Sequence, residues 1–306
     1  MMTQELIAEN IAAETDTQMV IERGRFPHRP TVENRVAFEW ERMGDVLGHW
    51  NMTRKNLITI DTLAAAVPSS GKGAVLDVGC AYGNMLLMLN AKMGKPADVK
   101  MIGIDLHSDA IEYAKAFARV VPGYRNCEYQ VADLSVGLPF EDGMFDAVNL
   151  GDVLEHMVQP AATVRELMRV TRPGGLILIS TPLKTGLFKT LSKVANAMTG
   201  GKVYKTYYKG KDTPLDEAGQ PVMVTAAGHD HVSEMKYGQL IGLLKGEGLV
   251  IEKVHLMPVM SGSHAFDRHL FLTSIMMWVE AWHSVLKFRS WAHSVMIAAR
   301  VPGRAK

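Results

Sequence analysis

Between residues 74 and 180 the sequence repeats one pattern, a short apolar run, a turn and an amphipathic stretch, and this repetition constrains the fold more than any other feature. "AVLDV" at 74–78 and "MIGID" at 101–105 read as strands buried in a parallel sheet, and each leads into a helical stretch, "NMLLMLNAKM" and "SDAIEYAKAFARVV". "CEYQVAD" and "FDAVNLG" continue the series, and "ATVRELMRVTRPGGLILIST" supplies a helix, a Pro-Gly-Gly turn and a fifth strand. Beyond them, "SEMKYGQLIGLLKGEG" reads as a helix, and "LVIEKVHLM" and "HSVMIAARVP" as strands separated by a helix over roughly 266–288. The expected fold class is therefore α/β: a doubly wound, mostly parallel sheet of seven strands with helices on both faces, N-terminal helices, and a helical insertion before the last strand. Ligands of such sheets bind at the carboxyl ends of the strands.

Four segments follow from this pattern. Residues 1–66 form a helical cap, 67–182 the ligand-binding core, 183–232 a basic lid or substrate segment, and 233–306 the completion of the sheet with the insertion at 266–288. The third segment is longer than an ordinary connection, which points to function.

With 306 residues, 47% of them hydrophobic, the chain can bury one large core. A formal net charge of +1 gives no whole-protein field for nucleic acid, so no nucleic-acid partner is expected. Cys80 and Cys127 match no metal-ligand spacing and make no disulfide framework, which suits a reducing cytoplasm. The start, "MMTQELIAENIAAETD", is acidic where a secretory signal is basic, and "LFLTSIMMWV" at 270–279 is about half the ~20 residues of a membrane span, so the expected location is cytoplasmic.

"AVLDVGCAYGN" at 74–84 ends a buried strand with an acid and then turns on Gly79 and Gly83. A strand passing through a glycine turn into a helix lets a nucleotide approach bare backbone. A dinucleotide fold wants G-x-G-x-x-G, but here the second and third positions are Ala81 and Asn84. The pattern is instead D-x-G-x-x-x-G, and Asp77 would repel a pyrophosphate while tolerating a ligand that carries an ammonium and a sulfonium. Asp77 alone is equally a helix N-cap and Asp105 a turn former. Three acids at successive strand ends, Asp77, Asp105 and Asp133, in register with a glycine turn say more than any one of them.

On these residues the chain resembles the class I S-adenosylmethionine-dependent methyltransferases over about 74–182 plus the closing strands. The resemblance implies S-adenosyl-L-methionine as cofactor. It implies that Asp77 and the turn Gly79, Cys80, Ala81 and Gly83 hold the methionine part, and that Asp105 takes the ribose hydroxyls by charged bidentate hydrogen bonding. Asp133 and Leu134 would meet the adenine, with Leu106 and Gly151 also lining the cofactor. Many members have glycine where this chain has Ala81. Cys80 reads as a packing residue, because methyl transfer from a sulfonium is a direct displacement with no covalent enzyme intermediate.

The catalytic candidates are Asp152, Glu155 and His156 in "GDVLEHM", whose i, i+3, i+4 spacing places them on one face of a helical turn. They suit a base, or ligands for a hard cation. This stretch, with "GHDHVSEMKYGQL", is similar to the ubiquinone-biosynthesis O-methyltransferase group, where E-x-x-E-H can bind a divalent metal. Asp152 replaces the first Glu of that motif, many small-molecule methyltransferases carry L-E-H without a metal, and no metal is assigned. Glu155 fixing a loop and His156 packing by the cofactor is the structural alternative. His229 and His231 either line the acceptor pocket or, by a small margin, cap or pack. No N/D-P-P-Y/F follows the fourth strand, which disfavours the amino methylation that motif serves.

The expected function is thus a methyltransferase acting on a small molecule, at oxygen in preference to nitrogen or carbon. The rivals are a nicotinamide-dependent oxidoreductase and a non-catalytic cofactor-binding protein. Two segments bear on partners. Residues 184–211 hold seven lysines and no acid, with Leu187, Leu191, Val194 and Met198 on one helical face and Lys189 and Lys193 opposite. A solvated basic face is the ordinary reading, and an anionic substrate or anionic membrane surface the sharper one. A wheel over 270–288 gathers Phe271, Ile275, Trp278, Val279, Trp282, Val285 and Leu286 against Thr273, Glu280, His283, Ser284 and Lys287. Such an arc packs on the core or a second subunit by default, with a lipid-like or glycan acceptor or a membrane interface as the alternative.

Overall fold

The computed structural model describes residues 46–68, 72–94, 98–120, 126–200, 202, 231–257, 275, 278, 282 and 291–303. Residues 1–45 of the expected cap, His229, most of the basic segment beyond residue 200 and most of the 266–288 insertion lie outside the described residues.

A helix α1 (Val46–Ala66) precedes β1 (Gly73–Val78). Then come α2 (Asn84–Lys92), β2 (Val99–Asp105), α3 (Ser108–Val120), β3 (Cys127–Val131) and β4 (Phe145–Gly151). After them run α4 (Pro160–Val170), β5 (Thr171–Pro182), α5 (Leu187–Met198), α6 (Tyr237–Gly246), β6 (Val250–Leu256) and β7 (Ser294–Arg300). The seven strands order as β3-β2-β1-β4-β5-β7-β6, and β7 runs antiparallel to both its neighbours. The order reverses between β1 and β4, the crevice where doubly wound sheets take their ligands.

The central strands are apolar on both faces because helices cover both. On one face Val75, Met101, Ala147 and Leu178 pack with Leu63 of α1, Leu86 and Leu89 of α2 and Ile111 of α3. On the other, Leu76, Ile102, Val148 and Ile177 pack with Val164 and Leu167 of α4 and Leu240 and Leu244 of α6. β6 closes one edge and is partly exposed, as an edge strand should be. The Pro-Gly-Gly turn expected before the fifth strand is an excursion inside it. β5 begins at Thr171, opposite Phe145, but Ala147 pairs with Leu176, so the extra residues loop out around Gly174 at φ 75.

The turn after β1 sets the site. Gly79 and Gly83 adopt φ 75 and 81, left-handed values that glycine takes without strain. A Cβ on Gly79 would lie 2.3 Å from Val153, and one on Gly83 2.5 Å from the ring of Tyr129, so both positions are closed to side chains. Ala81 sits between them at φ 46, a left-handed conformation without glycine's freedom. Left-handed backbone costs a residue with a Cβ roughly 1–2 kcal/mol, and glycine returns part of that gain through its freer unfolded chain. Ala81→Gly is therefore expected to raise unfolding stability by up to about 1 kcal/mol, read from urea denaturation without cofactor; a drop would place the strain elsewhere.

Candidate active site

The turn is pinned to β2 first by its backbone. The amides of Gly79 and Cys80 both donate to the carbonyl of Ile104, at 2.8 and 2.9 Å. The Asp105 carboxylate then accepts from the amide of Ala81 at 2.8 Å and from that of His107 at 2.9 Å. Asp105 thus stands at the strand end expected of it and also welds the glycine turn to β2. Asp133 caps the short 3-10 turn Leu134–Val136, accepting from Ser135 N at 2.8 Å. Hydrogen bonding from the Ser135 side chain, and then from its amide, holds the carboxyl below the ordinary range, so it stays an acceptor. Leu106 is exposed at this edge and Leu134 partly so, as an apolar contact to a ring requires.

Asp77 departs from the expected picture of a carboxylate guarding the bend. It is buried in the sheet, where Asn149 of β4, its register partner, donates to it at 2.7 Å. Asp77 thus sits inside the sheet behind the turn, while Asp105 bonds the turn's backbone. Asn149 was missed in the sequence because only the pairing of β1 with β4 brings it beside Asp77. Cys80 is buried, and desolvation followed by the charges of Asp77 and Asp105 raises its thiol well above the ordinary range. A protonated, covered thiol is no nucleophile.

Past β4 the expected single helical turn does not form. Leu154–His156 is a 3-10 turn, and Asp152 lies before it at φ 54. Asp152 therefore leaves the face shared by Glu155 and His156, and its carboxylate pairs with Lys55 of α1. Lys55 is a second residue no local pattern could have named, since it reaches across 97 positions of sequence.

Glu155 and His156 are joined instead by His231. Glu155 is 1% exposed and accepts from Thr181 Oγ1 at 2.9 Å. The rings of His156 and His231 meet edge to face at 4.8 Å. Ser233 secures this approach, its amide donating to Glu155 O at 2.9 Å and its hydroxyl to Met157 O at 2.5 Å. His231 is no helix cap, because α6 starts only at Tyr237. Its Nδ1 lies 3.1 Å from Glu234, which also receives Lys189 Nζ at 2.8 Å. The Glu234 contact raises the His231 pKa. Burial works upward on Glu234 itself, but His231 and Lys189 outweigh it and bring the carboxyl to about 2.

Glu155, His156 and His231 each offer a ligand atom, all within 4.8 Å of one another. One carboxylate and two imidazoles suit a divalent transition metal, and the contact from Glu234 to Nδ1 is the outer support such a histidine ligand takes. Without an ion the same group is an acid–base cluster, with one carboxyl raised and one imidazole raised beside it.

Residues 69–220 match a family model described as a methyltransferase domain. Tocopherol O-methyltransferase from Arabidopsis thaliana is 39% identical over 107 residues, 35% of this chain and 29% of that protein. A ubiquinone biosynthesis O-methyltransferase from Albidiferax ferrireducens is 32% identical over 126 residues, 41% of this chain and 47% of that protein. The chain therefore spans less than half the length of either relative. Among solved structures, geranyl diphosphate methyltransferase with sinefungin aligns at TM-score 0.52 and 14% identity, covering 83% of this chain and 78% of that one. The cyclase SpnF aligns at TM-score 0.51 and 19% identity, covering 81% of each chain, so the fold by itself does not fix the reaction. Over residues 69–220 the chain is thus similar to the methyltransferase-domain family, and it shares the fold of geranyl diphosphate methyltransferase.

Glu155 also carries a pH signature. Burial first and the Asp152 charge second raise its carboxyl from 4.5 to about 7. The fold thus favours the neutral form, and stability falls as pH rises from the unfolded value of 4.5 through about 7, where the full cost, on the order of 3 kcal/mol, is present. Glu155→Gln, melted in chelator, should gain thermal stability over the wild type at pH 8 and lose that advantage toward pH 5. Parallel curves across this window would show that the carboxyl does not titrate there.

Proposed function

We propose that the protein transfers a methyl group from S-adenosyl-L-methionine to a hydroxyl of a small, apolar ring acceptor lying beside His156 and His231. The observation that carries this reading is the buried Glu155 facing two imidazoles at the switch point of the sheet, next to a turn whose free edge is lined by acids and glycine. The matched relatives support the acceptor class, one being named for tocopherol and one for ubiquinone biosynthesis, both as O-methyltransferases.

The cofactor supplies an electrophilic methyl group on a sulfonium. Asp105 takes the ribose hydroxyls, Asp133 and Leu134 the adenine, and the Gly79–Gly83 turn lets the methionine end approach the backbone. Leu106, Ala81, Cys80 and Gly151 complete the wall, with Asp77 behind it. Alignment of oxygen, methyl carbon and sulfur is the main contribution, for which intramolecular models allow ~7–11 kcal/mol. The acceptor hydroxyl must lose a proton, and Glu155, its carboxyl raised to about 7, receives it, with His231 held beside it by Glu234. Asp152 holds Lys55 and so fixes α1 over the end of β4 without touching the acceptor.

Calorimetry should show S-adenosylhomocysteine binding in preference to NAD, and Asp105→Ala should weaken that binding. Label from methyl-labelled cofactor should pass to phenols or quinols with isoprenoid tails, at oxygen. Glu155→Gln and His231→Ala should keep cofactor affinity and cut turnover by ~10²–10⁴. Preference for NAD would overturn the cofactor assignment. Cofactor binding with no transfer to any hydroxyl acceptor would leave a protein that holds the cofactor for another use.

A further inference from the structure

α5 is built inside out. In a helix lying on a protein, apolar side chains face the core and lysines face water. Here Lys189 points inward, donating to Leu183 O at 2.9 Å and to Glu234 at 2.8 Å. Asn196, two turns on, is also buried. Leu191, Val194 and Met198 point outward, 56%, 51% and 83% exposed. At ~100° per residue these three fall within about a sixth of the helix circumference, on the side away from Lys189 and Asn196. The sequence expectation of an apolar face turned inward and a lysine face turned to solvent is thereby reversed for the stripe and for Lys189, which Glu234 claims, while Lys193 stays exposed.

We infer that this outer stripe of α5 docks on an anionic lipid bilayer. The charge around it is of one sign. Lys184 and Lys202 beyond its ends, and Lys193 on the opposite side of the helix, are exposed, and residues 184–211 contain seven lysines and no acid. A narrow apolar ridge among cations is the pattern of a helix that sinks its ridge into the acyl boundary while lysines meet phosphates. Trp278 and Trp282, on a separate helical stretch, stack at 5.5 Å and are 63% and 49% exposed, the side-chain type that settles at headgroup level. No helix among the described residues is long and apolar enough to cross a membrane, so the contact is peripheral. The inner face of α5 reaches the site through Lys189, Glu234 and His231, so a bilayer under the outer face would deliver an acceptor next to the acid–base cluster. This last step rests on the proposed acceptor class; the surface itself does not.

The test is flotation of the full chain with vesicles of phosphatidylcholine alone and of phosphatidylcholine with about 30 mol% phosphatidylglycerol. The chain should float with the anionic vesicles, and less as salt rises from roughly 0.1 to 0.5 M. Val194→Glu with Met198→Glu should lower partition by about tenfold or more, with unchanged S-adenosylhomocysteine affinity proving the fold intact. Lys184→Glu with Lys202→Glu should weaken anionic binding alone. Failure of the wild-type chain to float, equal flotation of the double variant, or a dimer that the double variant dissociates without vesicle binding would each overturn the assignment. Vesicle binding without methyl transfer would sink the proposed reaction and leave the surface standing.

Discussion

Two amides sharing one carbonyl, those of Gly79 and Cys80 on Ile104 O, fix where the chain leaves β1 and so where everything at the site can stand. The arrangement needs a left-handed residue at the start of the turn and another before α2, which Gly79 and Gly83 supply. It also needs Asp105 at the end of β2, so that the third amide of the turn, Ala81 N, finds an acceptor. A carboxylate that braces the turn and still offers lone pairs outward joins architecture to ligand recognition in one residue. Without it, an amide aimed at the cofactor edge would lose its partner.

The reacting end is assembled differently, by long-range contacts. Glu155 is made unusual by burial and by the neighbouring Asp152 charge. His231 is made basic by Glu234, which in turn is kept charged by Lys189. His293, partly buried near the same groups, has its imidazole pushed down to about 4 by desolvation and by the Lys189 charge, opposite in direction to His231. Carboxylates and imidazoles pushed in opposite directions within one cluster are what proton transfer at neutral pH requires. The same Lys189 turns α5 outward, which ties the electrostatics of the site to the surface that the helix presents.

Much of this was legible in the chain. Periodicity located the strands and most of the helices, since a strand buried on both faces and an amphipathic helix each leave a pattern in the residues themselves. The acids at strand ends were legible for a related reason: parallel sheets put successive carboxyl ends on one edge, so Asp105 and Asp133 had to meet there. Residues that act through distant partners were not legible. Asn149 reaches Asp77 only by sheet register, Lys55 reaches Asp152 only because α1 crosses the end of β4, and Asp152 at φ 54 stands outside the 3-10 turn of Glu155 and His156 while its charge still acts on Glu155.

The sequence by itself determined the doubly wound sheet, the glycine turn and the acid-lined edge, because these depend on local conformational preference and on order along the chain. Only the tertiary structure decided that Asp77 lies behind the turn and that His231 joins Glu155. It alone also turned the apolar stripe of α5 toward solvent. The physical reason is common to all three. Burial and pairing of charge depend on which groups packing brings within a few ångströms, and a carboxylate from another part of the chain, such as Glu234 for Lys189, outweighs the amphipathic pattern that a helix carries alone.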